Sequence, residues 1–351
     1  MTRVIGIDPG TVSTDVCGLV DGHVYLDDSR PTSDALTDAA GFLDLLSRSR
    51  RPDLIAGPSG YGLPLMDAAA ATEADLRLAF LAAPEETGGI GGLRGLARRL
   101  SGSGLPVVYT PGVIHLDTVP EHRKLNRVDL GTAEKVCAAA LGIRQECERN
   151  GVGPEDASFI LLELGGAFTA AVAVEHGQIV DGIGGTSGPI GWRAVGALDG
   201  EVAFLAGEVT KASLFRGGVT SMLEKGNDRL PVARAAYVEG AVKAVRQLQS
   251  SAPAANTVLL SGRMAAEPAI RDRLTRDLSG VGSVRPLVGF ARTAKQGAQG
   301  AALLADGLLG GANRELVDRL RIREARGSVL DNLIFVSPQA ARQRLGLGAN
   351  A

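Results

Sequence analysis

The stretch Val4-Ile5-Gly6-Ile7-Asp8-Pro9-Gly10-Thr11, followed by Thr14 and the turn Asp21-Gly22, decides the fold because the chain contains it twice. The second copy is Ile160-Leu161-Leu162-Glu163-Leu164-Gly165-Gly166, followed by Thr169 and the turn His176-Gly177. Asp8 matches Glu163 and Gly10 matches Gly165, with the same spacing in both copies and no gap. Duplicated units predict two domains built on one plan.

Each copy consists of an apolar strand, an acidic residue, a glycine turn and a second apolar strand. The turn glycines allow positive φ and let backbone N–H groups approach an anion closely. The acidic residue stands at the strand end, where it can hold a divalent cation that neutralises phosphate charge. We therefore expect the two hairpins to clamp a nucleotide polyphosphate from two sides.

The amino-acid composition limits the classes of protein to which this chain can belong. The 351 residues suit two domains of ordinary size, and 45% hydrophobic with 22% charged residues is normal for a packed globular protein. A net charge of −2 and 4% aromatic residues argue against general affinity for nucleic acid or anionic membranes. Three cysteines without CxxC spacing, and no signal peptide or membrane-spanning segment, predict a cytoplasmic protein.

The pattern of strands and helices predicts two domains and a tail. Residues 1–150 form the first domain, and residues 151–312 form the second, with an insertion at 190–230. Each reads βββαβαβα, an α/β pattern that gives a mixed sheet with flanking helices. Residues 313–351 are predicted as a helical tail.

Local patterns predict further elements. Apolar periodicity predicts a helix over 33–49, and the alanine-rich sequence predicts another over 67–81. Residues 87–95 are predicted as a mobile glycine-rich loop, which lacks the lysine of a Walker A motif. His115 and His122 are too far apart for a helical metal-binding pair, so we interpret them as core or surface residues.

Three motifs in this order resemble those of the acetate kinase, sugar kinase, Hsp70 and actin superfamily. They are the segments around Asp8 and Glu163 and the segment Leu259-Leu260-Ser261-Gly262-Arg263, which look like its first phosphate, second phosphate and adenosine motifs. The resemblance implies two actin-like (ribonuclease H-like) domains with an interdomain nucleotide cleft. It also implies ATP and Mg²⁺ as cofactors.

The chain resembles more closely an uncharacterised family labelled predicted butyrate kinases. The matching stretches are 57–62, 123–132 and 184–189. This resemblance implies a short-chain carboxylate as phosphoryl acceptor and an acyl phosphate as product. One position departs from the superfamily pattern, because Glu163 replaces the usual Asp and its longer side chain would shift the metal or water that it holds.

Asp8 and Glu163 are the predicted metal-binding residues. A charged group at the end of a buried strand needs a partner, and Mg²⁺ with its waters is a suitable one. Asp8 could instead form a turn ahead of Pro-Gly, and Glu163 a salt bridge at its strand end. The predicted phosphate-binding residues are Gly10, Thr11, Gly165, Gly166, Thr169, Gly184 and Gly185.

Ser261, Gly262 and Arg263 are predicted to contact the nucleotide. In the fold that the chain resembles, the glycine lets adenosine lie against the backbone, and Arg263 could cover the base or contact phosphate. An ordinary strand–helix turn is the alternative interpretation.

Asn126, Arg127 and Asp129 are the predicted catalytic residues. They precede a helix predicted over 132–149, whose N-terminal N–H groups favour anions. Arg127 could bind an acceptor carboxylate or stabilise the transferring phosphoryl group. Asp129 could act as a base, or could instead cap the helix.

The sequence thus favours an ATP-dependent phosphotransferase acting on a small molecule. A carboxylate acceptor is already anionic and needs no general base, whereas an alcohol acceptor would require one, such as Asp129. The alternative is a nucleotide-binding switch or accessory ATPase that closes its domains and has no small-molecule acceptor. A homodimer is left open.

Overall fold

The computed structural model describes residues 2–48, 51–58, 60–86 and 90–348. It divides into two compact units. The first unit comprises residues 1–128, 132–155 and 288–351, and the second unit comprises residues 129–131 and 156–287. Ser59 of the stretch 57–62, and residues 87–89 of the predicted mobile loop, lie outside the described residues. The loop prediction is wrong for residues 90–95, which form the start of a helix that runs over Ile90–Ser101.

The strands of the first unit are β1 (Arg3–Pro9), β2 (Ser13–Val20), β3 (His23–Pro31), β4 (Leu54–Pro58), β5 (Met66–Asp67) and β6 (Val107–Thr110). Those of the second unit are β7 (Phe159–Leu164), β8 (Thr169–Glu175), β9 (Gln178–Ile183), β10 (Thr257–Ser261) and β11 (Ser283–Pro286).

The helices of the first unit that precede β7 are α1 (Thr32–Thr37), α2 (Ala39–Ser47), α3 (Glu73–Phe80), α4 (Ile90–Ser101), α5 (Glu121–Lys124) and α6 (Ala133–Asn150). The second unit contains α7 (Gly200–Ala206), α8 (Val219–Leu223), α9 (Leu230–Gln249) and α10 (Pro268–Asp277). Three helices that follow belong to the first unit: α11 (Gln296–Leu308), α12 (Arg314–Leu320) and α13 (Pro338–Arg344).

The two sheets share one topology. The first has the order β3-β2-β1-β4-β6-β5 and the second β9-β8-β7-β10-β11, so the second repeats the first five strands of the first. In both, three antiparallel strands are extended by two parallel ones. This mixed arrangement, formed twice, confirms the predicted α/β fold class.

Details of the two hairpins repeat at matching positions. Strand β2 carries a bulge at Gly18/Leu19, and β8 carries one at Ala173/Val174. The turns after β2 and β8 each place a non-glycine residue and then a glycine at positive φ: Asp21 and Gly22, then His176 and Gly177. The duplication read from the sequence therefore extends to the backbone.

Helix α11 packs against the backbone of β1 and α6. An added Cβ on Gly6 of β1 would overlap Ala298 and Ala302, and one on Gly300 would overlap the carbonyl of Cys137 in α6. This packing is the reason that residues 288–312, predicted to close the second domain, group with the first unit.

Two helices differ from their predicted extents. The helix predicted over 33–49 is two helices, because Asp38 ends α1 and accepts a hydrogen bond from the N–H of Gly41 to start α2. The helix predicted over 67–81 begins only at Glu73, where Thr72 and Asp75 form a capping box. Among the described residues, no helix has the length and apolar character needed to cross a bilayer.

We expect Gly300→Ala to destabilise the protein by about 1–3 kcal/mol, because the methyl group must displace the backbone of α6. Gly95→Ala in α4 is the matched control, since nothing lies within 4 Å of its added Cβ. Helix propensity predicts that the control is stabilised by roughly 0.5–1 kcal/mol. Urea unfolding of both variants measures the difference, and equal effects would contradict the close packing of α11.

Stability should also fall in mild acid because of His115. This residue is 2% exposed, and burial, aided by the charge of Lys124, lowers its pKa from 6.5 to about 4. The unfolded chain binds the proton below about pH 6.5 but the folded chain only below about pH 4. Unfolding should therefore become easier by roughly 3 kcal/mol across that window. His115→Asn should flatten the slope, whereas the exposed His122→Asn should leave it unchanged.

Candidate functional site

The turn between β1 and β2 is closed by one hydrogen bond from the N–H of Gly10 to the carbonyl of Ser13, at 2.9 Å. The turn between β7 and β8 is closed in the same way from Gly165 to Phe168, also at 2.9 Å. An added Cβ on Gly10 would lie 3.0 Å from the Ser13 carbonyl oxygen, and one on Gly165 would lie 2.9 Å from that of Phe168. The glycines are therefore required because the chain returns close to itself.

The positive φ predicted for the turn glycines is confirmed at the second turn of each copy and is wrong for the first. Positive φ occurs at Gly22 and Gly177, in the second turn of each copy, and not at Gly10, Gly165 or Gly166. At Gly10 and Gly165, glycine is needed because the two strands approach too closely for a Cβ, and not because the dihedral angles are unusual.

Both turns carry backbone donors that the described residues do not use. In the first, no acceptor among them receives the N–H of Thr11 or Val12, and both residues are exposed. In the second, no acceptor among the described residues receives the N–H of Gly166 or Ala167, although Gly166 is only half-buried and Ala167 is buried. Successive unused N–H groups in a turn suit an anion. Of the predicted donors, Thr11 and Gly166 have unused N–H groups, whereas the N–H groups of Gly10 and Gly165 close the turns. Phosphate binding by these residues stays a prediction.

Asp8 is a buried carboxylate at the end of β1, 8% exposed, and it accepts no hydrogen bond from the described residues. Burial raises its pKa to about 7, and the neighbouring Glu134 adds to the rise, while Lys295 and Lys135 oppose it. Glycine at position 297 is required there, because an added Cβ would overlap the Asp8 carboxylate. The Asp8 carboxylate is thus close to two lysine charges but receives no hydrogen bond from the described residues.

Glu134 and Lys135 form an ion pair beside Asp8, with 3.0 Å between Oε1 and Nζ. Burial opposes ionisation of Glu134, but Lys135 and a hydrogen bond from Thr132 outweigh it and lower its pKa. The sequence did not single out this pair, because both residues look like an ordinary first turn of α6. Thr132 is the N-cap residue of α6, so Asp129 does not cap this helix.

Lys295 is a second cation next to the first hairpin. Its Nζ lies 3.3 Å from Oδ2 of Asp15, whose side chain is 1% exposed. Asp15 also accepts a hydrogen bond from Ser13 Oγ at 2.7 Å. An added Cβ on Gly10 would lie 3.3 Å from this Nζ, so the ammonium group lies next to the turn. Sequence spacing gave no signal, because Lys295 is distant from β1 along the chain.

In the second unit, the structure brings the second phosphate motif and the adenosine motif together. Ser261 of β10 pairs with Glu163 of β7. Gly262 adopts φ 88°, and an added Cβ would lie 2.5 Å from the carbonyl oxygen of Leu164 and 3.0 Å from the nitrogen of Gly165. Arg263 begins a short 3-10 helix. The positive φ and the contact with β7 explain why position 262 is glycine, and nucleotide contact by Ser261, Gly262 and Arg263 stays a prediction.

Asp129 holds the glycine-rich loop 184–188, which follows β9. Its Oδ2 accepts hydrogen bonds from the N–H and hydroxyl of Thr186, both at 2.9 Å, and its Oδ1 accepts one from the N–H of Gly131 at 3.2 Å. Gly184 must be glycine because an added Cβ would overlap Asp129, and Gly185 because one would press on the ring of Phe168. The loop is thereby fixed against the second hairpin turn.

The matched threonines of the two copies have different surroundings. Thr14 is fully buried and its hydroxyl lies 3.2 Å from that of Thr32, which donates to the carbonyl of Gly10. Thr169 is equally buried, and its hydroxyl lies near that of Tyr237 instead of a second threonine. The predicted contact of Thr169 with phosphate stays a prediction.

Asn126 and Arg127 lie in the first unit. Asn126 adopts φ 52°, and its Oδ1 accepts hydrogen bonds from the N–H groups of Ile334 and Phe335, both at 2.8 Å. Its side chain is thus used to hold the tail. Arg127 is exposed, and its N–H donates to the carbonyl of Lys124 at 2.9 Å. This hydrogen bond holds the backbone of Arg127, while its side chain is exposed.

A metal site can be tested against these contacts. Among the described residues there is no cluster of three or more His, Cys, Asp or Glu side chains that could hold a metal. Mg²⁺ usually binds proteins through one or two carboxylates, with waters and substrate phosphates completing its shell. The buried, unpartnered carboxylate of Asp8 fits that role, and Glu163 stays a predicted second contact.

Solved structures share this fold. A propionate kinase from Francisella tularensis superposes with a TM-score of 0.59 at 14% identity, covering 86% of this chain and 99% of that one. Acetate kinases from Entamoeba histolytica and Porphyromonas gingivalis give TM-scores of 0.57 and 0.54, at 10% and 14% identity. Each covers 80% of this chain and 88% of its own. The predicted resemblance in fold is confirmed.

Among curated proteins, none matches this chain. A family model matches residues 6–335, which is most of the sequence and includes both hairpins and the adenosine motif. The chain therefore belongs to the family described as protein of unknown function (DUF1464).

Proposed function

We propose that the protein is an ATP-dependent phosphotransferase that acts on a small molecule. The observation that carries the proposal is the hairpin with unused N–H groups, formed twice and accompanied in the first copy by the unpartnered Asp8. One hairpin would suit any anion, whereas two on one plan, with Gly262 packed on the second, suit a nucleotide polyphosphate. The acetate and propionate kinases of the same fold support this proposal.

The residues near Asp8 suit a nucleotide with Mg²⁺. Asp8 would hold the ion directly or through its waters, and the ion would neutralise phosphate charge. Lys135 and Lys295 favour the ionised form of Asp8, which ligation requires. The remaining task of the protein in phosphoryl transfer is to position the two reactants and stabilise charge.

The contacts of Asp129 favour a carboxylate acceptor. Both of its oxygens accept hydrogen bonds, so it is poorly placed to remove a proton from an alcohol. A carboxylate needs no base. One of its oxygens would form a bond to the γ-phosphorus of ATP while the bond from that phosphorus to the β,γ-bridging oxygen breaks, giving an acyl phosphate and ADP. In this proposal Asp129 positions the loop 184–188.

The exposed guanidinium of Arg127 is proposed to contact the acceptor. A planar guanidinium suits a carboxylate or a phosphoryl group. Asn126 fixes the adjacent backbone by binding the tail, so the base of the Arg127 side chain is held while its end stays available. Asn126 is thus proposed as a positioning residue.

Millimolar ATP with Mg²⁺ should raise the melting temperature, because a ligand that binds only the folded protein stabilises it. The stabilisation is about 2.7 kcal/mol when the ligand concentration is one hundred times Kd. Asp8→Asn should remove the Mg²⁺-dependent part while leaving the free protein at least as stable, because the buried carboxylate has no partner to lose. Asp44→Asn, at an exposed position in α2, controls for the change in charge. Unchanged melting curves for the unmodified protein would overturn the proposal.

The acceptor class can be tested by supplying ATP with acetate, propionate, butyrate or hexoses, trapping acyl phosphates with hydroxylamine and measuring hexose phosphates separately. Arg127→Lys should slow transfer about 10²–10³-fold and leave ATP affinity nearly unchanged, because lysine cannot form the same planar contact. Arg149→Lys, exposed near the end of α6, is the matched control. Hydrolysis of ATP without transfer to any acceptor would favour the accessory ATPase.

A further inference from the structure

Lys295 is held beside the first hairpin by two contacts with one buried carboxylate. Its Nζ lies 3.3 Å from Oδ2 of Asp15, and its backbone N–H donates to Oδ1 of the same residue at 3.3 Å. Asp15 is almost fully buried, whereas the Lys295 side chain is 44% exposed. The carboxylate thus fixes the base of the lysine side chain while its ammonium group still reaches solvent.

The ammonium group lies next to the part of the hairpin that would bind an anion. An added Cβ on Gly10 would lie 3.3 Å from the Lys295 Nζ. The unused N–H groups of Thr11 and Val12 follow Gly10 directly. The charge of Lys295 also acts on the Asp8 carboxylate, which is buried and without a hydrogen bond. A cation, two unused backbone donors and the carboxylate proposed to hold Mg²⁺ therefore belong to one part of the first hairpin.

A purely structural ion pair is the alternative, and the duplicated hairpin argues against it. The position that matches Asp15 in the second copy is Ala170, which pairs with Glu163 just as Asp15 pairs with Asp8. The second turn closes with the same hydrogen bond at the same length, although it has no aspartate at that position. The hairpin therefore does not need this ion pair to form.

We propose that Lys295 is a phosphate-binding residue of the first hairpin, contacting a phosphoryl oxygen of the bound nucleotide. This inference rests on the proposed function and adds to it the cation that neutralises phosphate charge from the protein side. Lysine suits the task because its ammonium group is a compact charge on a flexible stem. Asp15 is then the residue that positions it.

The experiment compares adenosine, ADP and ATP, each with Mg²⁺, by calorimetry on the full chain. In the unmodified protein the phosphates should strengthen binding relative to adenosine. Lys295→Met should weaken ATP binding at least about tenfold and leave adenosine binding unchanged. Lys295→Arg should keep most of the increase in affinity that the phosphates give relative to adenosine. Lys243→Met removes a lysine from an exposed pair with Glu239 in α9, and should change neither affinity.

The outcomes separate this inference from the proposed function. If the unmodified protein binds none of the three ligands, the proposed function fails. If it binds them and Lys295→Met retains the full gain from the phosphates, only the role of Lys295 is overturned. Lys295→Met could fold poorly because it leaves the buried charge of Asp15 unpaired. In that case the double variant Asp15→Asn, Lys295→Met removes this charge, and its ratio of ATP affinity to adenosine affinity gives the answer.

Discussion

The first unit depends on the close contact of helix α11 with strand β1 and helix α6. Backbone packs on backbone here, since Gly6 lies against Ala298 and Ala302, and Gly300 against Cys137. Such contacts leave no room for a methyl group and fix the helix in position and rotation. As a result the start of α11 brings Lys295 and Gly297 next to Asp8. A packing constraint in the core thus sets the geometry of the charged groups.

The two copies of the hairpin keep one backbone and differ in their side chains. The first surrounds its turn with ionisable groups, Asp8, Asp15 and Lys295, while the second has Glu163 and an aromatic neighbour, Tyr237. The shared turn, bulge and positive φ positions show that the backbone tolerates both sets. The two copies therefore share similar turns with unused backbone N–H groups, and the side chains around these turns differ.

The sequence was sufficient for features that depend on neighbouring residues. Alternating apolar residues and short turns predicted β1, β2, β7 and β8 almost to the residue, and the glycine turns predicted the repeated topology. The break of the helix predicted over 33–49 was not predicted, because Asp38 looks like any polar helix residue until it accepts the N–H of Gly41.

Contacts between distant segments could not be predicted. The hydrogen bonds of Asp129 with Thr186, and the contact of Lys295 with Asp15, join residues that no spacing rule relates. The same is true of the steric need for glycine at position 184, which arises from Asp129. The sequence predicted the turns proposed to bind phosphate, and the fold was needed to show which charged side chains lie beside them.

The discontinuous first unit has a consequence for synthesis on the ribosome. Its central strand β1 emerges first, yet the helix that covers β1 lies after the whole second unit in the chain. Until residue 308 has been made, the surface of β1 and α6 that α11 covers has no helix packed on it. Residues 156–287 are by then already available to fold as one segment. The nascent chain therefore carries an uncovered apolar surface for most of its synthesis, and chaperone binding at this stage would protect it.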